Sequence, residues 1–235
     1  MKQIDVLDHG YVRFVEAWGR GDAGVPEAAI VEAARQSTQG SFRGWAQDAK
    51  LLRYLYTAKP PHATPFEFAG MTIEVQAPIF VFREWMRHRT QSYNEMSARY
   101  APLPDVHYIP SIERIMQVGG ANKQAGAVKD ALAITVESAE RFRVEVEAAY
   151  EHANDLYLEA MRNGVPKELA RVVMPVGRYS RMRASANLRN WLAFMTLRAD
   201  PGAQWEIQQF AEAVSVVIAA QFPQTWALFQ EVRNG

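Results

Sequence analysis

The chain has 235 residues, of which 49% are hydrophobic and 22% charged, an ordinary globular usage that excludes a disordered or fibrous chain. Lys+Arg and Asp+Glu both total 26, so any nucleic acid or anionic ligand must be held by a local basic cluster rather than by overall charge. There is no cysteine, which removes disulfides, thiolate metal ligands and cysteine nucleophiles together.

The stretch from Met1 to Val12 has one early lysine and no apolar run after it, so it does not read as a signal peptide. Two short strands, Gln3 to Val6 and Tyr11 to Trp18, are expected on either side of a turn at Asp8-His9-Gly10. Helical spacing follows over Pro26 to Arg35 and Phe42 to Tyr56. Thr64-Pro65-Phe66-Glu67 reads as a capping box, with Thr64 accepting from the first amides of a helix and Glu67 reaching back. Met71 to Gln76 alternates as a half-buried strand does, and Pro78 opens another helix.

Between Val128 and Met161 the residues Phe142, Val146, Ala149, Ala153, Leu156 and Ala160 step by three and four, predicting one buried stripe on a long helix that Asn163-Gly164 ends. Pro166 to Val173 reads as a short helix and Arg178 to Ala186 as a strand with arginines at alternate positions. Asn187 is placed to cap the helix after it. Ala203 to Val232 reads as two helices broken near Pro223. The apolar run Ala213 to Ala220 is interrupted by Ser215 and is far too short for a membrane span. The expectation is a soluble cytoplasmic α+β protein, helix-rich, one domain over residues 1–235, with a small mostly antiparallel sheet.

Gly19-Arg20-Gly21-Asp22-Ala23-Gly24 matches GxGxxG, the spacing of a dinucleotide-binding turn. The strand before it carries Arg13 and Glu16, unlike the doubly buried strand such a turn needs, and no acidic residue ends a second strand about 20 residues later. A plain glycine turn is expected.

The informative segment is Arg87-His88-Arg89-Thr90-Gln91-Ser92-Tyr93-Asn94-Glu95-Met96-Ser97-Ala98-Arg99-Tyr100, which has no helical or strand period. Arg83 and Arg87 are spaced to share a helix face, and Arg89 and Arg99 add two more guanidiniums. Guanidinium forks suit phosphate, and the Ser, Asn and Glu nearby suit a base and a sugar. The competing reading is a solvated loop paired with Glu84 and Glu95. His88, between two arginines, is expected to resist protonation. The other four histidines show no ligand spacing with it, so no metal site is expected.

Residues Arg87 to Arg99 fit RHRxxSxNExSxR, the signature of the flavin-dependent thymidylate synthases, at every fixed position. The resemblance runs in order through His62-Ala63-Thr64-Pro65-Phe66-Glu67, Ala77-Pro78-Ile79-Phe80, Ala170-Arg171-Val172-Val173, Asn187-Leu188-Arg189, Leu197-Arg198-Ala199-Asp200 and Gln204-Trp205-Glu206-Ile207-Gln208-Gln209. It implies reductive methylation of dUMP at uracil C5, with FAD as cofactor and NADPH and 5,10-methylenetetrahydrofolate as co-substrates. It further implies a homotetramer whose active sites draw on several subunits, and neither a membrane nor a DNA partner.

By that resemblance Thr64, Arg87, His88, Arg89, Glu95, Asn187 and Arg189 contact FAD, with His62 and Glu67 close by. Glu84, Arg87, Glu95, Ser97, Ala98, Arg99, Arg171 and Arg198 surround dUMP. Arg198 is the expected catalytic residue, stabilising the anion formed when uracil N3 loses its proton. Against this stands a surface arginine at a helix C-terminus paired with Asp200. Ser97 is the second catalytic candidate, but no histidine or lysine adjoins it to activate a nucleophile, which favours a binding role. Two positions depart from the family pattern: Ala193 replaces a polar residue near the flavin, and Glu84 stands where some members have glutamine. Glu84 keeps open a UMP methylase of the same family, and a noncatalytic nucleotide- or RNA-binding protein is the rival of another class.

Overall fold

The structure, a computed structural model, describes residues 3–117 and 133–234. Five strands form one antiparallel sheet: β1 (Ile4–Val6), β2 (Gly10–Trp18), β3 (Gly70–Pro78), β4 (Ser92–Glu95) and β5 (Tyr179–Asn187), in the spatial order β1-β2-β3-β5-β4. Register sorts the side chains. Val12, Val75 and Met182 stand opposite one another, as do Phe14, Ile73 and Ala184, and these apolar rows face the core. The rows between them, Tyr11-Gln76-Arg181 and Arg13-Glu74-Arg183-Asn94, lie on the other face. There Glu74 accepts from the Tyr11 hydroxyl at 2.8 Å and from Arg13 at 2.7 Å. The alternate arginines of the sequence are thus Arg181 and Arg183, on the polar side of the sheet.

Helices cover the apolar face: α1 (Ala28–Arg35), α2 (Trp45–Thr57), α3 (Ile79–Trp85), α7 (Leu188–Arg198), α8 (Trp205–Gln221) and α9 (Pro223–Asn234). Trp85, Trp191, Phe194 and Phe210 are fully buried where α3, α7 and α8 meet, and the Trp191 indole donates to the Met71 carbonyl at 3.0 Å. Between α3 and α7 in sequence come α4 (Ile112–Met116), α5 (Val136–Arg162) and α6 (Lys167–Ala170). α9 begins on a carboxylate from far away in sequence: buried Glu27 accepts from the backbone amides of Gln224 and Thr225, at 2.9 Å and 2.6 Å.

Several expectations are corrected. Thr64–Phe68 is one 3-10 turn with no side-chain cap: Ala63, which has no side-chain oxygen, stands at the cap position, and Glu67 pairs with Arg189 at 2.5 Å instead of reaching back. Residues 166–173 split into α6 and a 3-10 turn, Arg171–Val173. The long helix forms, but its apolar stripe is not buried: Phe142 is 48% and Leu156 44% exposed, and only Ala139 and Tyr157 are buried along it. Val128, the expected start of that segment, lies outside the described residues.

Asp48 is a test of how firmly the N-terminal layer is held. Its fully buried carboxylate accepts from both terminal nitrogens of Arg35 and from the Arg43 amide at 2.6 Å. Asp48→Ala leaves Arg35 without its carboxylate, with only the Ser41 carbonyl to accept from it among the described residues, and is expected to lower the unfolding free energy by about 3–5 kcal/mol. Urea denaturation measures this, and a loss under about 1 kcal/mol would show a pair of surface strength only.

Candidate active site

α3 ends at Trp85, and the chain leaves it through tight turns: the Arg87 amide donates to the Glu84 carbonyl at 3.2 Å, His88 to Trp85 at 3.0 Å and Gln91 to His88 at 3.1 Å. Arg87 therefore lies past the helix and does not share a helical face with Arg83, as its spacing suggested. Part of the aperiodic segment is a strand, β4, which is too short for its alternation to stand out in sequence. Tyr93, which sequence reasoning passed over, fixes the turn: its hydroxyl lies 2.8 Å from the His88 carbonyl and 3.1 Å from that of Trp85. Burial, opposed by Arg198, pushes its phenol up to about 12, so it remains a donor.

β5 passes directly into α7. Asn187 ends the strand and caps the helix, its side chain accepting from the Asn190 amide at 3.0 Å as its position predicts. α7 then lies along the turn, with the Asn190 side chain donating to the Thr90 carbonyl at 3.3 Å near its start and Arg198 meeting His88 at its end. Arg198 donates through Nε to His88 Nε2 at 2.8 Å, through Nη1 to the Glu84 carboxylate, and through Nη2 to the Glu84 carbonyl at 3.2 Å. It is not a surface arginine, and Asp200 is occupied by the Gly202 amide at 2.7 Å.

This geometry fixes the state of His88. Burial first, then the Arg198 charge, lowers its pKa from 6.5 to about 4. The direction is as expected but the cause is different: the neighbouring arginines Arg87 and Arg89 are exposed, and the cation against the ring comes from α7. With Nε2 accepting, a neutral ring carries its proton on Nδ1. Burial raises Glu84, Arg198 lowers it and Glu206 raises it, for a net rise.

The other expected site residues fall into two sets. Around the start of α7 lie Arg89, Asn187, Arg189 and Glu67, with Thr64 exposed on the same 3-10 turn and the His62 ring 5.3 Å from that of Tyr54. A second set surrounds α6: Arg99 pairs with Glu168 at 3.3 Å, Arg171 donates to the Glu168 carbonyl at 3.4 Å, and Lys167 donates to the Tyr100 carbonyl at 3.3 Å. Ala98 is buried there. Among the described residues Ser97 Oγ accepts only from the Arg99 amide at 3.3 Å, with no base against it. Glu95 is exposed and has no side-chain partner among the described residues, and no hydrogen bond or ion pair among them joins the second set to Arg198.

The GxGxxG turn is a plain turn. Gly19, Gly21 and Gly24 all have positive φ, and a Cβ on Gly21 would fall 1.9 Å from a Glu32 carboxylate oxygen. That same oxygen accepts from the Asp22 amide at 3.1 Å, so a carboxylate occupies the place a phosphate would need.

Exposed guanidiniums flanking a neutral imidazole, beside a partly buried arginine, suit a ligand with phosphates and a polar ring. The sequence model of the thymidylate synthase complementing protein family matches residues 22–224. The flavin-dependent thymidylate synthase of Thermotoga neapolitana is 35% identical over 97% of this chain and 94% of the relative, and that of Thermus thermophilus is 36% identical over 97% and 78%. Among solved structures, the UMP/dUMP methylase PolB from Streptomyces cacaoi, bound with 5-Br UMP, superposes with a TM-score of 0.80 at 31% identity, covering 97% of this chain and 96% of that one. This chain belongs to the family of flavin-dependent thymidylate synthases.

His88 gives a direct check of the site's electrostatics. A histidine with a depressed folded pKa contributes stability that is present above 6.5 and is lost as pH falls from there toward about 4. Long-range nitrogen–proton NMR is expected to show an imidazole still neutral at pH 5.5 whose signals are absent in His88→Asn. A ring that titrates near 6.5 would contradict the Arg198 contact.

Proposed function

We propose that the protein methylates uracil C5 of dUMP, taking the carbon from 5,10-methylenetetrahydrofolate, with FAD reduced by NADPH. The observation that carries this reading is Arg198, held by Glu84 and a neutral His88 beside the signature turn. The residues fit a flavin. Arg87, Arg89 and Arg189 offer exposed guanidiniums for its phosphates, Asn187, Thr64, Glu67 and His62 supply polar atoms around the start of α7, and Glu95 adds a carboxylate at the end of β4. Bound flavin would supply the electrons that reduce the transferred carbon to methyl.

Arg198 stabilises the uracil anion that forms as N3 loses its proton, which raises electron density at C5. Glu84, Arg87, Glu95, Ala98, Arg99 and Arg171 orient the nucleotide, the arginines binding phosphate. Ser97 is a ligand, since no base adjoins it and an unassisted hydroxyl is a weak nucleophile. With no cysteine in the chain, thiolate attack on uracil C6 is closed. The reaction belongs in the cytoplasm with other nucleotide biosynthesis; no helix among the described residues is long and apolar enough to cross a membrane.

The working form is a homotetramer. Along α5, Phe142, Val144 and Leu156 are exposed, and Tyr100 and Val172, next to Arg99 and Arg171, are 80% and 76% exposed. Apolar surface of this kind marks an interface. A neighbouring subunit's α6 set beside this subunit's Arg198 makes one complete site. Sedimentation at assay concentration is expected to give a tetramer, and a fully active monomer would contradict it.

UMP is the second reading. PolB is described as a UMP/dUMP methylase, and one Glu84 oxygen, without a partner among the described residues, can accept from a sugar hydroxyl. Parallel turnover with dUMP and UMP separates the two. A colourless protein that oxidises no NADPH after FAD is added would favour a noncatalytic nucleotide-binding role.

Arg198→Ala is expected to retain the yellow flavin and lose about a hundredfold to a thousandfold in turnover. Near-wild-type activity would remove Arg198 from the mechanism. Ser97→Ala is expected to bind dUMP more weakly by about 0.5–1.5 kcal/mol and still turn over. No product from that variant, with a nucleotide adduct mapped to Ser97 in the wild type, would make the serine a nucleophile.

A further inference from the structure

A second buried ion pair stands behind the Glu84–Arg198 pair. Glu206, in the first turn of α8, is 3% exposed. It accepts from Arg114 Nε at 2.7 Å and Nη2 at 3.2 Å, from the Tyr108 hydroxyl at 3.1 Å and from Gln204 at 2.8 Å. Arg114, on α4, also lies 5.5 Å over the Trp205 ring. Neither charge belongs to the Arg87–Arg99 segment.

Aromatic contacts place this pair against the Glu84 side of α3. Tyr108, bonded to Glu206, lies 5.8 Å from Phe80, and Phe210, one turn beyond Glu206, lies 6.4 Å from Trp85. Phe80 and Glu84 are four apart and share a helix face. Two carboxylates on packed helices thus stand near one another, each held by one arginine.

We propose that Arg114 and Glu206 are a positioning pair whose net charge decides whether Glu84 is ionised, and so how much of the Arg198 charge is left for a bound nucleotide. While Arg198 rests on Glu84 the two charges offset. When Arg198 turns to the nucleotide, Glu84 is left in a half-buried place with a second carboxylate behind it. Balanced by Arg114, Glu206 lets Glu84 stay ionised as a counter-ion. Unbalanced, it drives Glu84 to take a proton from solvent.

The groups facing Glu84 are Arg198 from α7, His88 and Tyr93 from the segment after α3, Glu206 from α8, and Tyr108 and Arg114 through Glu206. Burial, opposed by Arg198 and reinforced by Glu206, already holds Glu84 above the ordinary carboxylate range. On Glu206 itself burial acts upward but is outweighed by the bonds from Arg114 and Gln204, which keep it charged.

The role of Arg198 toward a nucleotide rests on the function proposed above; the charge coupling does not. Infrared difference spectra between each protein and its Glu84→Gln counterpart read the Glu84 titration with no substrate present. Glu206→Gln is expected to move that titration down by about one pH unit, and Arg114→Met to move it up by a similar amount. The double variant, losing both charges, is expected to titrate between the two single variants. The acid limb of kcat/KM for dUMP is expected to follow the same three shifts.

A merely structural pair would change melting temperature without opposite shifts. If Arg114→Met does not fold, Glu206→Gln alone decides. A Glu84 titration unmoved in that variant, or moved the same way in both single variants, overturns the inference. The shifts in a protein that never methylates dUMP would refute the proposed function alone. Methylation without them would refute this inference alone.

Discussion

No residue separates the last strand from the helix that follows it. Asn187 is at once the last residue of β5 and the cap of α7, so the direction of α7 is set by the sheet rather than by a loop. The polar contacts that α7 brings to the signature turn depend on that junction. Arg189 meets Glu67, Asn190 meets Thr90, and Arg198, at the last turn, meets Glu84 and His88. Sites carried on rigid elements hold geometry better than sites carried on loops. Here a strand held on both sides by β3 and β4 supplies the rigidity.

Charge is arranged just as sparingly. Burial keeps His88 neutral and one arginine reinforces it while pairing with a glutamate; both partners sit half-buried, where pairing counts for more than at the surface. A buried cation without them would be strongly unfavourable. The contacts that make Arg198 tolerable in the folded chain are therefore also those it must exchange for a ligand.

Sequence reading reached most elements because their signals were strong and local. The strands alternated, Pro223 marked the break between α8 and α9, and Asn187 stood where a cap belongs. It failed where the deciding partner was remote. Thr64 and Glu67 have capping-box spacing, but Arg189 claims the carboxylate from 122 residues away. The stripe on α5 has helical period, yet periodicity says only that a face is apolar, not that this chain covers it. β4 was hidden because four residues carry too little alternation. For His88 the expected direction holds but its stated cause does not: burial comes first, and the cation that adds to it lies 110 residues on. Arg114 could not be found at all, since nothing local links it to Glu206.

The glycine turn after β2 illustrates how a motif can be occupied by its own chain. Its Asp22 amide, a donor an anion could use, is already taken by the Glu32 carboxylate, which lies where a Cβ on Gly21 would fall. A side chain tethered ten residues away competes at an effective concentration of order millimolar or higher, and its negative charge repels any phosphate that approaches. The turn behaves as a site permanently saturated by an intramolecular ligand. Spacing patterns register the vacancy that glycines create, and an acidic side chain within reach of those glycines decides whether the vacancy is ever open.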